Sequence, residues 1–312
     1  AATGSASPII EDASTDSGTG RWTVIKIPTL SFYEYCQLLQ LDDMPLLPDH
    51  LKITDIPKME NAEVADLMAR FEPLVKHFNR YLTIGGFPEL ALSDDDLYAQ
   101  RMLREDVVDK VIKRDVLTLF KVRSPLLMEK LFLYLCMNST EIFSATTAAK
   151  ELDNISPNTI ESYVDALVKS NLIYMAYPIA VGSKSVLKGR PKIYIADAAI
   201  RNAVLMVDDV LSDERELGLL IETTVYKHLV SFYQGTGAQL GYYRKAKENQ
   251  REVDTVIELP KQKILCEIKY KNNSHIPQTD GIVELCNDPK AGITDAFVIT
   301  KQLEDFGVTR HA

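Results

Sequence analysis

The chain has 312 residues, of which 46% are hydrophobic and 25% charged, so it is large and apolar enough for two or three globular domains. Its formal net charge of −9 argues against nucleic-acid binding over the whole surface, while leaving room for local basic patches. It has neither an apolar run of the roughly 20 residues that cross a bilayer nor clustered cysteines, so we expect a cytoplasmic protein without membrane contact.

The first 30 residues predict an incomplete domain. Residues 1–20 are small, polar and acidic, and the following RWTVIKIPTL alternates apolar with polar positions up to Pro28, which predicts a short strand. No neighbouring pattern supplies a partner strand, so we expect residues 1–30 to be the remnant of a domain completed by other sequence. Apolar residues of this region then lack a local partner sheet, which predicts exposed apolar surface and self-association into oligomers; they are Trp22, Ile25, Ile27 and Phe32.

Residues 31–121 predict a helical arm. Apolar residues at three- and four-residue spacing from Glu63 to Leu82 indicate a helix that Pro73 kinks. A second helix is expected to start near Ser93, because the aspartates after it favour a helix N-terminus, and to run toward Phe120.

Residues 122–200 have the order of a winged helix. Ser124, Ser144 and Ser156 each precede a helical pattern, and strand patterns at residues 172–177 and 192–195 follow. The turn between the strands is basic and is a candidate contact for DNA phosphates through Lys184, Lys188, Arg190 and Lys192.

The third helix of this unit is unfavourable for DNA binding. It carries Glu161 and Asp165 against Lys169, which is a poor surface for a polyanion. DNA binding and protein contacts by the winged helix therefore both stay open.

Residues 212–312 predict an αβββαβ domain. A helix bearing Glu222 is followed by strand patterns at residues 238–244, 251–259 and 263–270, then by a helix near residues 278–286 and a strand at residues 296–300. The predicted fold class is thus mixed α+β, with a helical first part followed by this sheet domain.

Three charged residues of the predicted hairpin can converge. Simple alternation places Val253, Thr255 and Ile257 on the face opposite Asp254, and it places Glu267 and Lys269 on one face of the next strand. If the two strands pair, Asp254, Glu267 and Lys269 meet, and Glu222 can join them from the preceding helix.

Adjacent carboxylates repel each other unless a cation neutralises them, and oxygen ligands favour Mg²⁺ or Mn²⁺. We therefore predict Asp254 and Glu267 as metal ligands, with Lys269 orienting water or neutralising phosphate. The alternative is that Asp254 and the E-x-K sequence are ordinary solvent-exposed charged residues on strand surfaces.

These residues resemble a known fold. REVDTVIE followed by CEIKY, after a helix with Glu222, is similar to the restriction-endonuclease-like fold and its PD-(D/E)xK site, although Val253 stands where that motif has proline. The resemblance implies metal binding by Asp254 and Glu267, Lys269 as the motif lysine and Glu222 as an accessory acid.

The chain as a whole resembles a family of prokaryotic AAA-type ATPases with a C-terminal domain of unknown function. PTLSFYEY at residues 28–35, GGFPEL at 85–90 and KRDVL at 113–117 precede the nuclease-like tail in the same order as in that family. The resemblance implies that residues 1–30 end an ATPase core, which would be a partner of the remaining chain.

The sequence contains no G-x-x-x-x-G-K-S/T, so we predict no ATP site here and expect ATP to bind only in a missing N-terminal part. Two functions stay open: a Mg²⁺- or Mn²⁺-dependent deoxyribonuclease, and a non-catalytic module that binds DNA or protein. Basic residues near the predicted cleft favour a polyanion in either case, namely Arg244, Lys245, Lys247 and Arg251.

Overall fold

The structure is a computed structural model that describes residues 26–41, 44, 55, 58–117, 120, 122–181, 189–207, 209–245, 251–302, 305 and 307. The predicted mixed α+β class is confirmed, because helices dominate the N-terminal part and strands the C-terminal part. Of the helices in the described ranges, none has the length and apolar character that a membrane span requires.

The helices begin and end close to the predicted positions. A 3₁₀ turn at Glu72–Leu74, which contains Pro73, divides the first predicted arm helix, and a π-helical segment at Asp106–Val116 extends the second. The α-helices are α1 (Phe32–Leu38), α2 (Asn61–Phe71), α3 (Val75–Ile84), α4 (Pro88–Ala91), α5 (Asp96–Glu105), α6 (Pro125–Met137), α7 (Ala145–Glu151), α8 (Pro157–Lys169), α9 (Ala198–Leu205), α10 (Glu214–Phe232) and α11 (Gly281–Asn287).

Six strands form one mixed sheet in the order β2-β1-β3-β4-β5-β6. The β3–β4 and β4–β5 pairs are antiparallel, while β1–β3 and β5–β6 are parallel. The strands are β1 (Ile173–Pro178), β2 (Lys192–Ile195), β3 (Gln239–Arg244), β4 (Glu252–Leu259), β5 (Gln262–Lys269) and β6 (Asp295–Thr300). The order αβββαβ is therefore present from α10 to β6, and β1 extends its sheet beside β3.

One compact unit groups the described residues of 1–30, 83–175 and 190–208. The side chains of Ser124 and Ser144 accept hydrogen bonds from Leu127 N and Thr147 N, which confirms the predicted starts of α6 and α7. Each helix then buries one apolar face in the core of this unit.

A buried carboxylate ties three segments of this unit together. Asp197 is 2% exposed, and its Oδ2 accepts hydrogen bonds from Thr29 Oγ1 at 2.6 Å and Gly86 N at 3.2 Å. Its Oδ1 caps α9 by accepting from Ala199 N at 3.0 Å. Gly85 has a φ of +75°, and a Cβ there would lie 2.4 Å from Asp197 Oδ1, so glycine is required next to this carboxylate.

The other compact unit groups the described residues of 31–82, 176–189 and 209–312. The aromatic ring of Phe32 lies 5.1 Å from Phe78 and 5.5 Å from Tyr81. Phe32 N donates to His228 Nε2 at 2.8 Å, and the buried Lys227 donates to Tyr81 OH at 2.7 Å. These contacts join α1 and α3 to α10.

Two predictions about the N-terminal part need correction. Phe32 does not lack partners, because the ring contacts above leave it half-buried. The described residues 26–30 of the predicted first strand form no strand, and residues 1–25 with Trp22 lie outside the described residues. The arm 31–121 stays a prediction; the compact units group its described residues up to Leu82 with α10, and those from Thr83 onward with α6 to α9.

Candidate active site at the paired ends of β4 and β5

A β-bulge sets the position of Asp254. Gly241 pairs with Val256 and Tyr243 pairs with Val253, so two residues of β4 oppose one residue of β3. Val253 and Val256 consequently pack in the same apolar cluster, beside α11. The predicted simple alternation is therefore wrong at Val253, which shares the face of Val256 rather than that of Thr255 and Ile257. Bulges commonly change the direction of a side chain next to a site.

The carboxylates of Asp254 and Glu267 continue the sheet beyond its last backbone pair. The β4–β5 register ends at Thr255 and Cys266. Beyond it, Asp254 N donates to Glu267 Oε2 at 3.3 Å, and Ile268 N donates to Asp254 Oδ2 at 2.9 Å. Each carboxylate thus binds the backbone of the opposite strand, and the predicted convergence of Asp254 with Glu267 is observed.

Lys269 lies between two acids. Its Nζ is 2.5 Å from Glu267 Oε1 and 3.3 Å from Asp280 Oδ2. Asp280 was not predicted to belong to the site. It caps α11, because its side chain accepts a hydrogen bond from Ile282 N. An aspartate directly before a short apolar helical run is a recognisable N-cap signal, but the sequence alone does not show that this cap faces Lys269.

Burial and like charge raise proton affinity in this cluster. Glu267 is 5% exposed, and burial together with the neighbouring Asp254 raises its pKa to about 7, against the opposing effect of Lys269. Burial lowers the pKa of Lys269, but Glu267 and Asp280 outweigh it, so this pKa is raised and the ammonium persists. Burial also raises the pKa of the Cys266 thiol to about 12, so this cysteine is not a nucleophile at neutral pH.

The donor set fits one hard divalent cation only in part. Among the described residues, no three His, Cys, Asp or Glu side chains are grouped to hold a metal ion. Mg²⁺, however, commonly binds through one or two carboxylates and completes its coordination with water and substrate phosphate. Asp254 and Glu267 would be those two ligands, and a cation beside them would relieve the repulsion that raises the Glu267 pKa.

Glu222 lies half-buried on α10. This helix packs Leu217 and Ile221 against Ile268, which alternates with Glu267 along β5 and so points to the other sheet face. The role of Glu222 as an accessory acid stays a prediction.

The predicted basic patch near the cleft is largely neutralised by acids. Lys245 and Arg251 both form ion pairs with Glu284 of α11, and Arg244 lies 3.9 Å from Glu252. Sequence reasoning missed Glu284 as a partner because it lies more than 30 residues away along the chain.

The predicted DNA contacts of the winged helix divide into three groups. Arg190 is exposed, whereas Lys192 is only 4% exposed within β2 and is not available to a phosphate. Lys184 and Lys188 lie outside the described residues, as does Lys247 of the other basic patch. On α8, Lys169 forms an ion pair with Asp165 at 2.9 Å, which leaves that helix a poor surface for a polyanion.

Two parts of the chain match families described as domains of unknown function. Residues 75–211 match a family described as "Domain of unknown function (DUF8612)", and residues 217–312 match one described as "Domain of unknown function (DUF4143)". The first match spans α3 to α9, and the second contains Asp254, Glu267, Lys269 and Asp280.

Similar proteins are uncharacterized as well. The chain is 20% identical over 276 residues to a protein of Haemophilus influenzae, which covers 87% of this chain and 59% of the relative. It is 30% identical over 175 residues to a protein of Methanocaldococcus jannaschii, covering 55% of this chain and 36% of the relative. A protein of Mycobacterium tuberculosis is 28% identical over 200 residues, covering 62% of this chain and 43% of the relative. No solved structure matches, and the chain spans less than two thirds of each of these relatives.

Proposed function

We propose that the domain from α10 to β6 is a metal-dependent nuclease module of the restriction-endonuclease-like kind, and that it belongs to the C-terminal part of a DNA-associated AAA-type ATPase. The observation that carries the proposal is the interlocked pair of Asp254 and Glu267 with Lys269 at 2.5 Å from Glu267. Acids and a lysine this close are suited to hydrolysis of a phosphodiester, whose transition state gains negative charge.

Each residue has a distinct role in this mechanism. Asp254 and Glu267 would hold Mg²⁺ or Mn²⁺, and a bound ion would supply a lowered pKa of water and stabilisation of charge on the phosphate. Lys269, held by Asp280, donates a hydrogen bond to a phosphate oxygen. The oxygen of a water forms a bond to phosphorus while the bond to the leaving sugar oxygen breaks. The water loses one proton to solvent and the leaving oxygen gains one, so no redox partner is needed.

The test is nicking of supercoiled plasmid by the purified chain during titration with Mg²⁺ or Mn²⁺. We expect metal-dependent nicking that Asp254→Asn and Glu267→Gln abolish, because each amide keeps the backbone hydrogen bond but loses the charge. Lys269→Ala is expected to slow cleavage by about tenfold or more without abolishing metal binding. Glu258→Gln is the matched control, since Glu258 lies in β4 together with Asp254 and forms an ion pair with Lys263. Equal nicking by the parent chain and Asp254→Asn would overturn the site.

A second function has its own supporting observation. Lys269 already forms an ion pair with Glu267. Among the described residues, no third carboxylate is grouped with Asp254 and Glu267 to hold a metal ion. This arrangement also suits a non-catalytic module that recognises DNA or protein with a degenerate nuclease fold. That function predicts no nicked product with any metal, together with DNA affinity that Asp254→Asn leaves unchanged or raises.

The link to an ATPase rests on sequence order. The 312 residues contain no phosphate-binding G-x-x-x-x-G-K-S/T, so ATP would act on this module only through an ATPase core in the same or an associated chain. Thr29, which follows Pro28 in the PTLSFYEY motif, is bound by Asp197, so the segment expected to leave that core is anchored.

A further inference from the structure

Among the residues that the structure describes, the sheet edge that carries the candidate site also carries two lysines without an acid partner. β5 and β6 run parallel with Lys269 paired to Thr300, so the residues that follow leave the sheet side by side. Lys271 and Lys301 are among these residues, and both are exposed. Ligands of α/β sheets bind outside the carboxyl ends of the strands. Both residues therefore follow strand ends at the sheet edge where a substrate of the site would approach.

Hydrogen bonds fix the loops that carry the two lysines. Lys271 N donates to Lys269 O at 2.9 Å, which turns the chain directly after the site. Asn272 Nδ2 donates to Glu214 Oε1 at 2.6 Å, in the first turn of α10. Asn272 Oδ1 in turn accepts from Lys301 Nζ at 3.2 Å, so this cation is positioned by a neutral oxygen that leaves its charge available.

The two basic clusters at this edge differ in their charge balance. In the described part of the chain, no carboxylate lies within ion-pair distance of Lys271 or Lys301. Lys245 and Arg251, which follow β3 and precede β4 at the same edge, share Glu284 instead. A cation that already holds an acid gains less from a phosphate, because that ion pair must first be broken.

We propose that Lys271 and Lys301 bind the phosphodiester backbone of a nucleic acid that enters the candidate site. The proposal rests on the proposed function, since it names the substrate contacts of the same site. Asp254, Glu267 and Asp280 are grouped around Lys269, so carboxylates outnumber the ammonium there and disfavour a phosphate. Lys271 and Lys301, which have no acid partner in the described ranges, offset this effect and bind the backbone without regard to base sequence.

The experiment measures the affinity of the full chain for a fluorescent duplex and for a single-stranded oligonucleotide, over a range of salt concentrations. All proteins carry Asp254→Asn and are assayed with Mg²⁺, so that cleavage does not interfere. We expect Lys271→Ala with Lys301→Ala to weaken binding by about tenfold and to reduce the salt slope by about two, one for each lysine. The matched control is Lys261→Ala with Lys290→Ala, because Lys261 lies in the turn before β5, at the opposite end of that strand.

Each result decides the proposal. Binding by Lys271→Ala with Lys301→Ala that stays within twofold of the control pair would overturn it, as would a chain that binds neither oligonucleotide. Plasmid nicking by the parent chain with unchanged binding by the double variant would overturn only the rim contacts. Loss of binding in a chain that never nicks plasmid would support the rim contacts and overturn the nuclease.

Discussion

Two buried carboxylates, one in each compact unit, have opposite surroundings. Asp197 is 2% exposed and accepts hydrogen bonds from a hydroxyl and two backbone amides, all neutral donors. Glu267 is 5% exposed and lies against Asp254 and Lys269, both ionisable. Both are buried, so burial does not distinguish an acid with a structural role from an acid of the candidate site. What distinguishes them is whether the neighbours satisfy the charge or add to it.

The largest expected effect comes from removing Asp197. Asp197→Ala leaves Thr29, Gly86 and the first turn of α9 without their acceptor, so we expect the free energy of unfolding to fall by about 3 kcal/mol. The measurement is urea denaturation. Asp95→Ala is the control, because Asp95 caps α5 at an exposed position and should cost only about 1 kcal/mol. Equal losses in the two variants would show that the Asp197 contacts are not a structural centre.

Glu267 is expected to behave in the opposite way. Its folded-state pKa of about 7 lies above the ordinary value of 4.5, so its contribution to stability is complete below pH 4.5 and is lost as the pH rises through about 7. Glu267→Gln imitates the protonated form, and we expect it to be more stable than the parent by on the order of 2 kcal/mol at pH 8. Near pH 4 the two proteins should be equally stable.

Urea denaturation at several pH values without added metal measures this difference. Glu258→Gln, which removes a half-buried carboxylate of the neighbouring strand β4, is the control. A Glu267→Gln variant that is less stable than the parent at pH 8 would mean that the ion pair with Lys269 outweighs burial and repulsion.

The smallest expected effect concerns Glu284, the acid that forms ion pairs with Lys245 and Arg251. Glu284→Gln removes the charge that Lys245 and Arg251 share, so two cations become available at the sheet edge. We expect affinity for duplex DNA to rise by about two- to threefold, with a steeper salt dependence. Asp288→Asn, just beyond the end of the same helix, is the charge-matched control for fluorescence anisotropy measurements. An unchanged affinity would mean that Lys245 and Arg251 do not contact the nucleic acid.

Sequence reasoning found the helices and strands because their signals are local. Serine caps, proline in a first turn and period-two apolar runs predict α6, α7, β4 and β5 to within a few residues. The E-x-K spacing likewise brings Glu267 and Lys269 together on one face. The strand alternation failed at Val253, because a bulge depends on the partner strand β3 and leaves no mark in β4 itself.

The features that sequence reasoning missed depend on long-range contacts. Asp280 joins Lys269, and Glu284 joins Lys245, only because α11 packs over β4 and β5. The attachment of α1 to α10 was missed for the same reason, since Phe32 and His228 are 196 residues apart. Composition could give the net charge of the cleft region but not which cations are already paired.

The interlock between β4 and β5 has a consequence for how this protein can diverge. Asp254 and Glu267 each accept a backbone hydrogen bond from the opposite strand, so selection for folding alone retains acceptors at both positions. The Lys269 ammonium instead contacts the carboxylates of Glu267 and Asp280. Under the proposed function, the residue at position 269 is therefore a better record of hydrolysis among related chains than a hydrogen-bond acceptor at position 254 or 267.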